Sequence, residues 1–156
     1  MLYLGIDPGA SGGLAVIDGG KHVETTSMPA TEKDIWLWVC MEQREQRAVI
    51  EYNTGFVGGE GNPGSAMFKF GTNHGLLEMA LIAAAIPYEK VSPAKWQKAL
   101  GITPRKKGVG AESRTQFKNR LKSRAQSLFP SAKVTLSTCD ALLIAHYCRL
   151  KEEGKL

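Results

Sequence analysis

Three acidic residues stand where a predicted strand or helix begins or ends, at positions suited to metal chemistry. Asp7 ends an apolar run directly before Pro8-Gly9, Glu51 ends the apolar run "RAVIE", and Asp140 precedes "ALLIAHYCRL". A carboxylate at the end of a buried strand is costly unless a cation or hydrogen bonds stabilise it. Asp7 therefore either caps the turn or holds a metal, and the structural alternative for Asp140 is a favourable charge at a helix N-terminus. Together, the three acids are a hard oxygen donor set suited to Mg²⁺ or Mn²⁺.

The order of predicted elements brings two of these acids to one edge of a sheet. Three hairpin-linked strands followed by strands that alternate with helices predict an α/β fold, with a mixed five-stranded sheet and helices on both faces. Ligands gather at the carboxyl ends of strands in such folds, where Asp7 and Glu51 lie. We expect residues 1–156 to form a single domain. The patterns predict strands at 2–7, 12–18, 21–28, 47–52 and 86–91, a candidate strand at 132–135, a glycine-rich loop at 55–64, and helices at 31–43, 65–85, from Ser92 to the break "GITPRKKGVGA", at 112–128 and at 137–153.

The positive charge of the chain is concentrated in its middle. The net charge is +5. Residues 89–133 contain twelve Lys and Arg against two Asp and Glu, whereas residues 1–88 contain five against ten. The loop pattern "PRKKGVG" adjoins the helix pattern "RTQFKNRLKSR", which brings this charge together. We therefore favour nucleic acid as a partner over the alternative of a solvated helix surface.

Composition and hydropathy indicate a protein of the cytoplasm. The longest apolar stretch, "MALIAAAI", is too short to span a membrane, and the N-terminus has a strand pattern in place of a signal peptide. Cys40, Cys139 and Cys148 are odd in number and lack CxxC spacing, which is typical of reduced thiols. We expect a cytoplasmic location, in a bacterial cell or a phage-infected host, and no membrane partner.

Five stretches of the sequence together resemble a known family. They are "LGIDPGASGGLAVID", "VIEYN", the block from "SAMFKFGTNHG" to "SPAKWQKALGI", "LFP" and "CDALLIAHY". In this order and spacing they closely resemble RuvC-type Holliday-junction resolvases, particularly the short bacteriophage-type members, over nearly the whole chain except residues 19–45 and 103–113. The resemblance implies an RNase H-like fold, a homodimer, and an endonuclease that resolves four-way DNA junctions by paired symmetric nicks.

The resemblance also assigns roles to the acids. Asp7 matches the first-strand metal ligand, Glu51 the fourth-strand ligand and Asp140 the acid on the last helix. Two Mg²⁺ ions, with Mn²⁺ as a substitute, would activate a water molecule and stabilise the leaving oxygen of the phosphodiester. The family usually has a further Asp or His three or four residues before the last acid, where this chain has Ser137 and Leu136. Ser137 offers Mg²⁺ only a neutral oxygen, so we expect a second ion to be weakened or held through water.

Basic and aromatic residues complete the site that the resemblance implies. Lys118 matches a functional lysine that offsets charge on the scissile phosphate, and Lys122 lies one helical turn on. For either lysine, a plain phosphate contact or solvent exposure is the alternative. We expect Phe68 to stack on an unpaired base and Phe70 to face differently, with core packing open for both. The predicted DNA-contacting residues are Phe68, Lys69, Arg105, Lys106, Lys107, Arg114, Lys118 and Lys122.

Two other interpretations of the sequence remain. The opening residues also resemble the first phosphate loop of actin-like ATPases and sugar kinases, but those proteins need two lobes and a second glycine-rich loop. We therefore expect no nucleotide cofactor. The second alternative is a junction-binding protein with weak or no cleavage, because Ser137 replaces a usual metal ligand.

Overall fold

The computed structural model describes residues 1–19, 22–41, 44–52 and 64–156. Most of the predicted glycine-rich loop, residues 55–63, lies outside the described residues. Among the described residues, no helix is long and apolar enough to cross a membrane. The strands are β1 (Leu2–Asp7), β2 (Gly13–Asp18), β3 (His22–Ser27), β4 (Gln46–Glu51) and β5 (Tyr88–Val91), and the helices are α1 (Glu32–Val39), α2 (Gly64–Ala83), α3 (Pro93–Ala99), α4 (Arg114–Leu128) and α5 (Cys139–Glu152).

The strands form one mixed sheet, as the sequence predicts. Their order is β3-β2-β1-β4-β5, with β2 antiparallel to its neighbours β1 and β3, and β4 parallel to its neighbours β1 and β5. The strand β3 lies at an edge, which explains why it tolerates a polar sequence. The register pairs Ile6 with Ile50, so Asp7 and Glu51 are the next residues along two neighbouring parallel strands. The two acids therefore lie side by side at the carboxyl ends of β1 and β4.

Helices cover both faces of the sheet and bury a separate apolar cluster on each. One cluster joins α3, α4 and α5 to strand residues such as Tyr3 and Val49. The other joins α1 and α2 to residues such as Leu4 and Ile50. Because side chains alternate along a strand, Asp7 and Glu51 follow the parity of Tyr3 and Val49 and face the side covered by α5.

Helix α5 lies almost in backbone contact with β1. A Cβ atom built on Gly5 would lie 2.1 Å from the carbonyl oxygen of Ala141 and 2.2 Å from the amide nitrogen of Ala145. Only glycine permits this approach, because any side chain would overlap the helix backbone. The contact fixes the N-terminal turn of α5, which contains Asp140, beside the carboxyl end of β1.

The structure corrects two expectations near this helix. Residues 132–135 do not form a strand, because Thr135 instead exchanges side-chain and backbone hydrogen bonds with Thr138 in a turn. This turn delays the start of α5 from the predicted residue 137 to Cys139, so Asp140 is the second residue of the helix. The three cysteines are free thiols, as predicted, and Cys139 and Cys148 are buried.

Candidate active site

The carboxyl ends of β1 and β4 carry two of the predicted acids. Glu51 is buried, and Asp7 is mostly buried. The third acid, Asp140, is buried at the N-terminus of α5. Asp140 and Glu51 both raise the pKa of Asp7 through their negative charge, so each of them lies near Asp7. The fold therefore gathers the three acids in one region, from β1, β4 and α5.

Lys118 places a positive charge between two of these acids. It lies in α4, and its Nζ donates to Asp140 Oδ2 at 2.6 Å and lies 3.8 Å from Asp7 Oδ2. Burial alone would lower the pKa of Lys118, but the carboxylates of Asp140 and Asp7 raise it above its usual value. Lys118 is therefore a cation beside the three neighbouring acids Asp7, Glu51 and Asp140, which we call the acidic pocket. Lys122, one turn further along α4, has no resolved contact with these acids.

The pocket has more negative charge than Lys118 offsets. The pKa of Asp7 is raised well above its ordinary value, first by burial and then by the neighbouring Asp140 and Glu51, with Lys118 acting in the opposite direction. A raised carboxyl pKa means that the ionised form is disfavoured where it stands. An additional cation would relieve this repulsion, and carboxylate oxygens are the donors that hard divalent ions prefer. The chemistry of the donor set thus fits a divalent cation.

The three carboxyl groups are not arranged around one common position for an ion. Among the described residues, no three His, Cys, Asp or Glu side chains are grouped closely enough to hold one ion as they stand. Glu51 accepts a hydrogen bond from the indole of Trp96, and Asp140 accepts one from Lys118. These hydrogen bonds orient the two carboxylates. The assignment of Asp7, Glu51 and Asp140 as metal ligands stays a prediction, and the structure shows them as neighbouring donors.

The side chain of Ser137 is engaged with other hydroxyl groups. Its Oγ hydrogen bonds with Ser27 Oγ at 2.7 Å and with Thr135 Oγ1 at 2.9 Å, in a group of hydroxyls between β3 and the turn before α5. These contacts occupy two of the three hydrogen-bonding positions of the hydroxyl group. They argue against Ser137 as a metal ligand, a role that stays a prediction.

Two residues that the sequence analysis did not assign to the site hold its acids. Trp96 Nε1 donates to Glu51 Oε2 at 2.7 Å, and Cys139 Sγ donates to Asp140 Oδ1 at 3.2 Å. Burial, followed by the charge of Asp140, raises the pKa of Cys139 to about 12, so the thiol keeps its proton and remains a donor. The only sequence signal for Trp96 was its place in the block that resembles the resolvase family.

The turn after Asp7 is fixed by α2. The backbone N–H of Gly9 donates to Asn73 Oδ1 at 2.8 Å, and the ring of Phe70 lies 3.3 Å from where a Cβ on Gly9 would be. Gly9 has a φ of +105°, which disfavours any other residue at this position. No local sequence pattern identifies Asn73, since its side chain acts on a turn 64 residues away.

The predicted DNA-contacting residues differ in how available they are. Phe68 is 75% exposed at the start of α2, whereas Phe70 is partly buried against Gly9. Arg105 donates to the carbonyl oxygen of Glu112 and so helps to hold the segment before α4. Arg120, also basic, is committed to Glu112 and Thr103. The exposed cations of the predicted set are Lys69, Lys106, Lys107 and Arg114, and Lys118 and Lys122 are partly exposed.

Comparisons with known proteins support the fold. No family model and no curated protein matches the sequence. Among solved structures, Thermus thermophilus RuvC in complex with a Holliday junction substrate matches at a TM-score of 0.64 and 20% identity, covering 99% of this chain and 97% of that one. A second Thermus thermophilus RuvC structure matches at a TM-score of 0.61 and 20% identity, covering 99% and 98%. The chain thus has the RNase H-like fold of RuvC, with a mixed five-stranded sheet and helices on its faces.

Proposed function

We propose that this protein is a Mg²⁺-dependent, structure-selective endonuclease that resolves four-way DNA junctions by paired symmetric nicks. The observation that carries the proposal is the gathering of Asp7, Glu51 and Asp140 with the ammonium group of Lys118. The fold shared with RuvC and the motifs that resemble the short bacteriophage-type resolvases support the choice of branched DNA as substrate.

In this proposal the three acids hold the metal. Asp7, Glu51 and Asp140 would supply its oxygen ligands, and Ser137 would contribute through water if a second ion binds. Bound Mg²⁺ or Mn²⁺ supplies an activated water and stabilises charge on the leaving oxygen.

The other side chains orient and balance this site. Lys118 neutralises part of the carboxylate charge and so lets a phosphate anion approach the acids. Asn73 and Phe70 hold the turn that follows Asp7. Cys139 and Lys118 occupy the two oxygens of Asp140 from different sides.

The DNA surface in this proposal runs from the acids along α4 and the segment before it. Arg114 and Lys122 flank Lys118 at intervals of four residues, which places all three on one side of the helix. Lys106 and Lys107 are exposed before α4 and are available to backbone phosphates. Phe68 with Lys69 would meet the junction centre, where an exposed aromatic ring can stack on an unpaired base.

Paired nicks require two sites, so the proposal includes a homodimer. The outer face of α2 supports a homodimer because it exposes apolar side chains. Met79 and Ile82 are 56% and 55% exposed, and the spacings from Gly75 to Met79 (four residues) and from Met79 to Ile82 (three residues) place these exposed residues on one side of the helix. Sedimentation with and without junction DNA tests this part, and a monomer under both conditions would remove it.

A nicking assay on labelled four-way and duplex DNA, with and without Mg²⁺, tests the function. We expect nicks in the four-way junction that require Mg²⁺. The Asp7→Asn variant should lose nicking by at least about 10³-fold while it keeps junction affinity, because an amide cannot supply the anionic ligand. Nicking by Asp7→Asn at the wild-type rate would refute the assignment of the site.

A junction-binding protein with weak or no cleavage is the second candidate. The hydroxyl contacts of Ser137 favour it, since they leave the usual fourth acid without a replacement. Wild-type protein that binds the junction tightly but makes no nicks with Mg²⁺ or Mn²⁺ would support this candidate.

A further inference from the structure

A buried tryptophan contacts the acid at the end of β4. Trp96 Nε1 donates to Glu51 Oε2 at 2.7 Å, and no part of Trp96 is accessible to solvent. An indole has one N–H donor and no acceptor, so this bond uses its entire polar capacity. Burying that N–H without a partner would be unfavourable, which makes the bond to the carboxylate specific.

The backbone determines where the indole lies. Glu51 pairs with Val91 at the end of β5, and the Tyr52 N–H donates to the Val91 carbonyl oxygen at 2.8 Å. Helix α3 begins immediately afterwards, with Ser92 as its N-cap and Pro93 in its first turn. Trp96 follows within one turn and so lies beside β4.

The core prevents the indole from turning away. Trp96 belongs to the apolar cluster under α3, α4 and α5, together with residues such as Val91 and Leu142. Side chains in such clusters are packed at crystal-like density and lie in rotamer minima. One oxygen of Glu51 therefore accepts from a donor that close packing restrains, on a strand end next to Asp7.

We infer that Trp96 is a positioning residue that fixes the Glu51 carboxylate for cation binding. The inference rests on the proposed function for its link to nicking, but the geometry that carries it is independent of DNA. It assigns a role to the tryptophan in the long block from "SAMFKFGTNHG" to "SPAKWQKALGI" that resembles the resolvase family. Hydrogen-bond partners of metal-binding side chains commonly alter metal affinity or activity by about 10- to 100-fold when removed.

The Trp96→Phe variant removes the N–H and keeps an aromatic ring. Trp38→Phe is the matched control, because Trp38 is partly buried against the apolar cluster on the opposite face of the sheet. We expect Trp96→Phe to raise the Mg²⁺ concentration for half-maximal nicking by about 10-fold or more. Junction affinity in Ca²⁺ should stay at the wild-type value, and Trp38→Phe should change neither quantity. A wild-type Mg²⁺ midpoint in folded Trp96→Phe would overturn the inference and leave the endonuclease proposal standing.

A measurement on the wild-type protein does not depend on activity or on the folding of the variant. The chain has three tryptophans, so its ¹H–¹⁵N spectrum contains three indole resonances that Trp36→Phe and Trp38→Phe assign by elimination. Mg²⁺ without DNA should shift the Trp96 resonance and leave the other two in place. An unmoved Trp96 resonance at saturating Mg²⁺ would contradict the inference. A shifted resonance in a protein that makes no nicks would instead overturn only the endonuclease proposal.

Discussion

At the scale of single residues, Lys118 and the three acids have opposite electrostatic roles. Asp7 is disfavoured as an anion by burial and by its neighbours, while Lys118 is favoured as a cation by the same carboxylates. The lysine therefore makes the pocket less repulsive to a phosphate, and the acids keep it attractive to a divalent ion. This balance, and not any single residue, gives the site its proposed chemistry.

Replacing Lys118 with Met should slow nicking far more than it weakens binding. Loss of the ammonium group removes charge stabilisation next to Asp140, and removal of one such donor typically costs about 10²–10³ in rate. Lys122→Met is the control, since Lys122 lies on the same helix without a resolved contact to the acids. Single-turnover nicking at saturating protein separates rate from affinity. Equal rate losses in both variants would contradict the special role of Lys118.

His146 predicts an acid-sensitive step in folding stability. Burial, and then the charge of Arg149, lowers the pKa of His146 from 6.5 to about 4. The folded protein thus binds a proton less readily than the unfolded chain, so this stabilisation is complete above pH 6.5 and is lost as the pH falls through about 4. His146→Gln should reduce the loss of unfolding free energy across this range by on the order of 1–2 kcal/mol. Urea unfolding at several pH values measures the unfolding free energy of the wild-type and His146→Gln proteins. If this free energy falls equally with pH in both, the role of His146 in acid sensitivity is excluded.

Residue type and position in the sequence were sufficient to predict the three acids as candidate site residues, but not the hydrogen bonds that orient them. Asp7, Glu51 and Asp140 were recognisable because each stands at the end of an apolar pattern. Trp96 and Asn73 act on residues 45 and 64 positions away, and no local pattern encodes such a contact. The metal-ligand role of Ser137 stays a prediction, and the sequence does not indicate that its hydroxyl contacts Ser27 and Thr135.

At the scale of elements, the approach of α5 to β1 positions the site. Apolar alternation was sufficient to predict the five strands and the long helices. The candidate strand at 132–135 was wrong because the hydrogen bonds of Thr135 and Thr138 close a turn, and these tertiary and side-chain effects outweigh strand propensity. The same turn sets the start of α5 and thereby the place of Asp140.

Gly5→Ala tests whether this approach is required. An alanine Cβ would lie 2.1 Å from the Ala141 carbonyl oxygen, and no side-chain rotation can relieve this overlap because the obstructing atoms are backbone atoms of α5. We expect a loss of more than about 3 kcal/mol in unfolding free energy. Gly71→Ala is the control, because Gly71 is exposed in α2 with nothing within 4 Å of a built Cβ, and helix propensity there favours alanine by about 0.5–1 kcal/mol. Wild-type stability for Gly5→Ala would show that α5 can move away from β1.

At the scale of the whole molecule, the charge distribution separates the basic surface that we propose binds DNA from the acids that we propose bind the metal. The basic segment supplies exposed cations from α4 and the residues before it, while the acids lie at the end of the sheet. Charge composition predicted this asymmetry from the sequence. It did not predict that Arg105 and Arg120 are engaged with Glu112, because the Arg105 hydrogen bond and the Arg120 ion pair depend on how the chain returns before α4.

Lys106 and Lys107 should govern the salt dependence of junction binding. Each phosphate contact contributes a slope of about −0.9 to the dependence of log affinity on log salt concentration, so replacing both with Ala should flatten the slope by about 1.8. The nicking rate at saturating protein should be unchanged, because neither lysine is part of the acid pocket. Lys33→Ala, on the helix α1 that covers the other face of the sheet, should leave the slope unaltered. An identical slope for wild type and the double variant would remove these lysines from the DNA surface.

Anomalous diffraction from Mn²⁺-soaked crystals most directly tests the claim that these acids bind a catalytic cation. The account predicts at least one Mn²⁺ peak coordinated by oxygens of Asp7, Glu51 and Asp140 in wild-type protein, and its loss in Asp7→Asn. Mn²⁺ bound elsewhere, with the three carboxylates uncoordinated at saturating metal, would contradict the account.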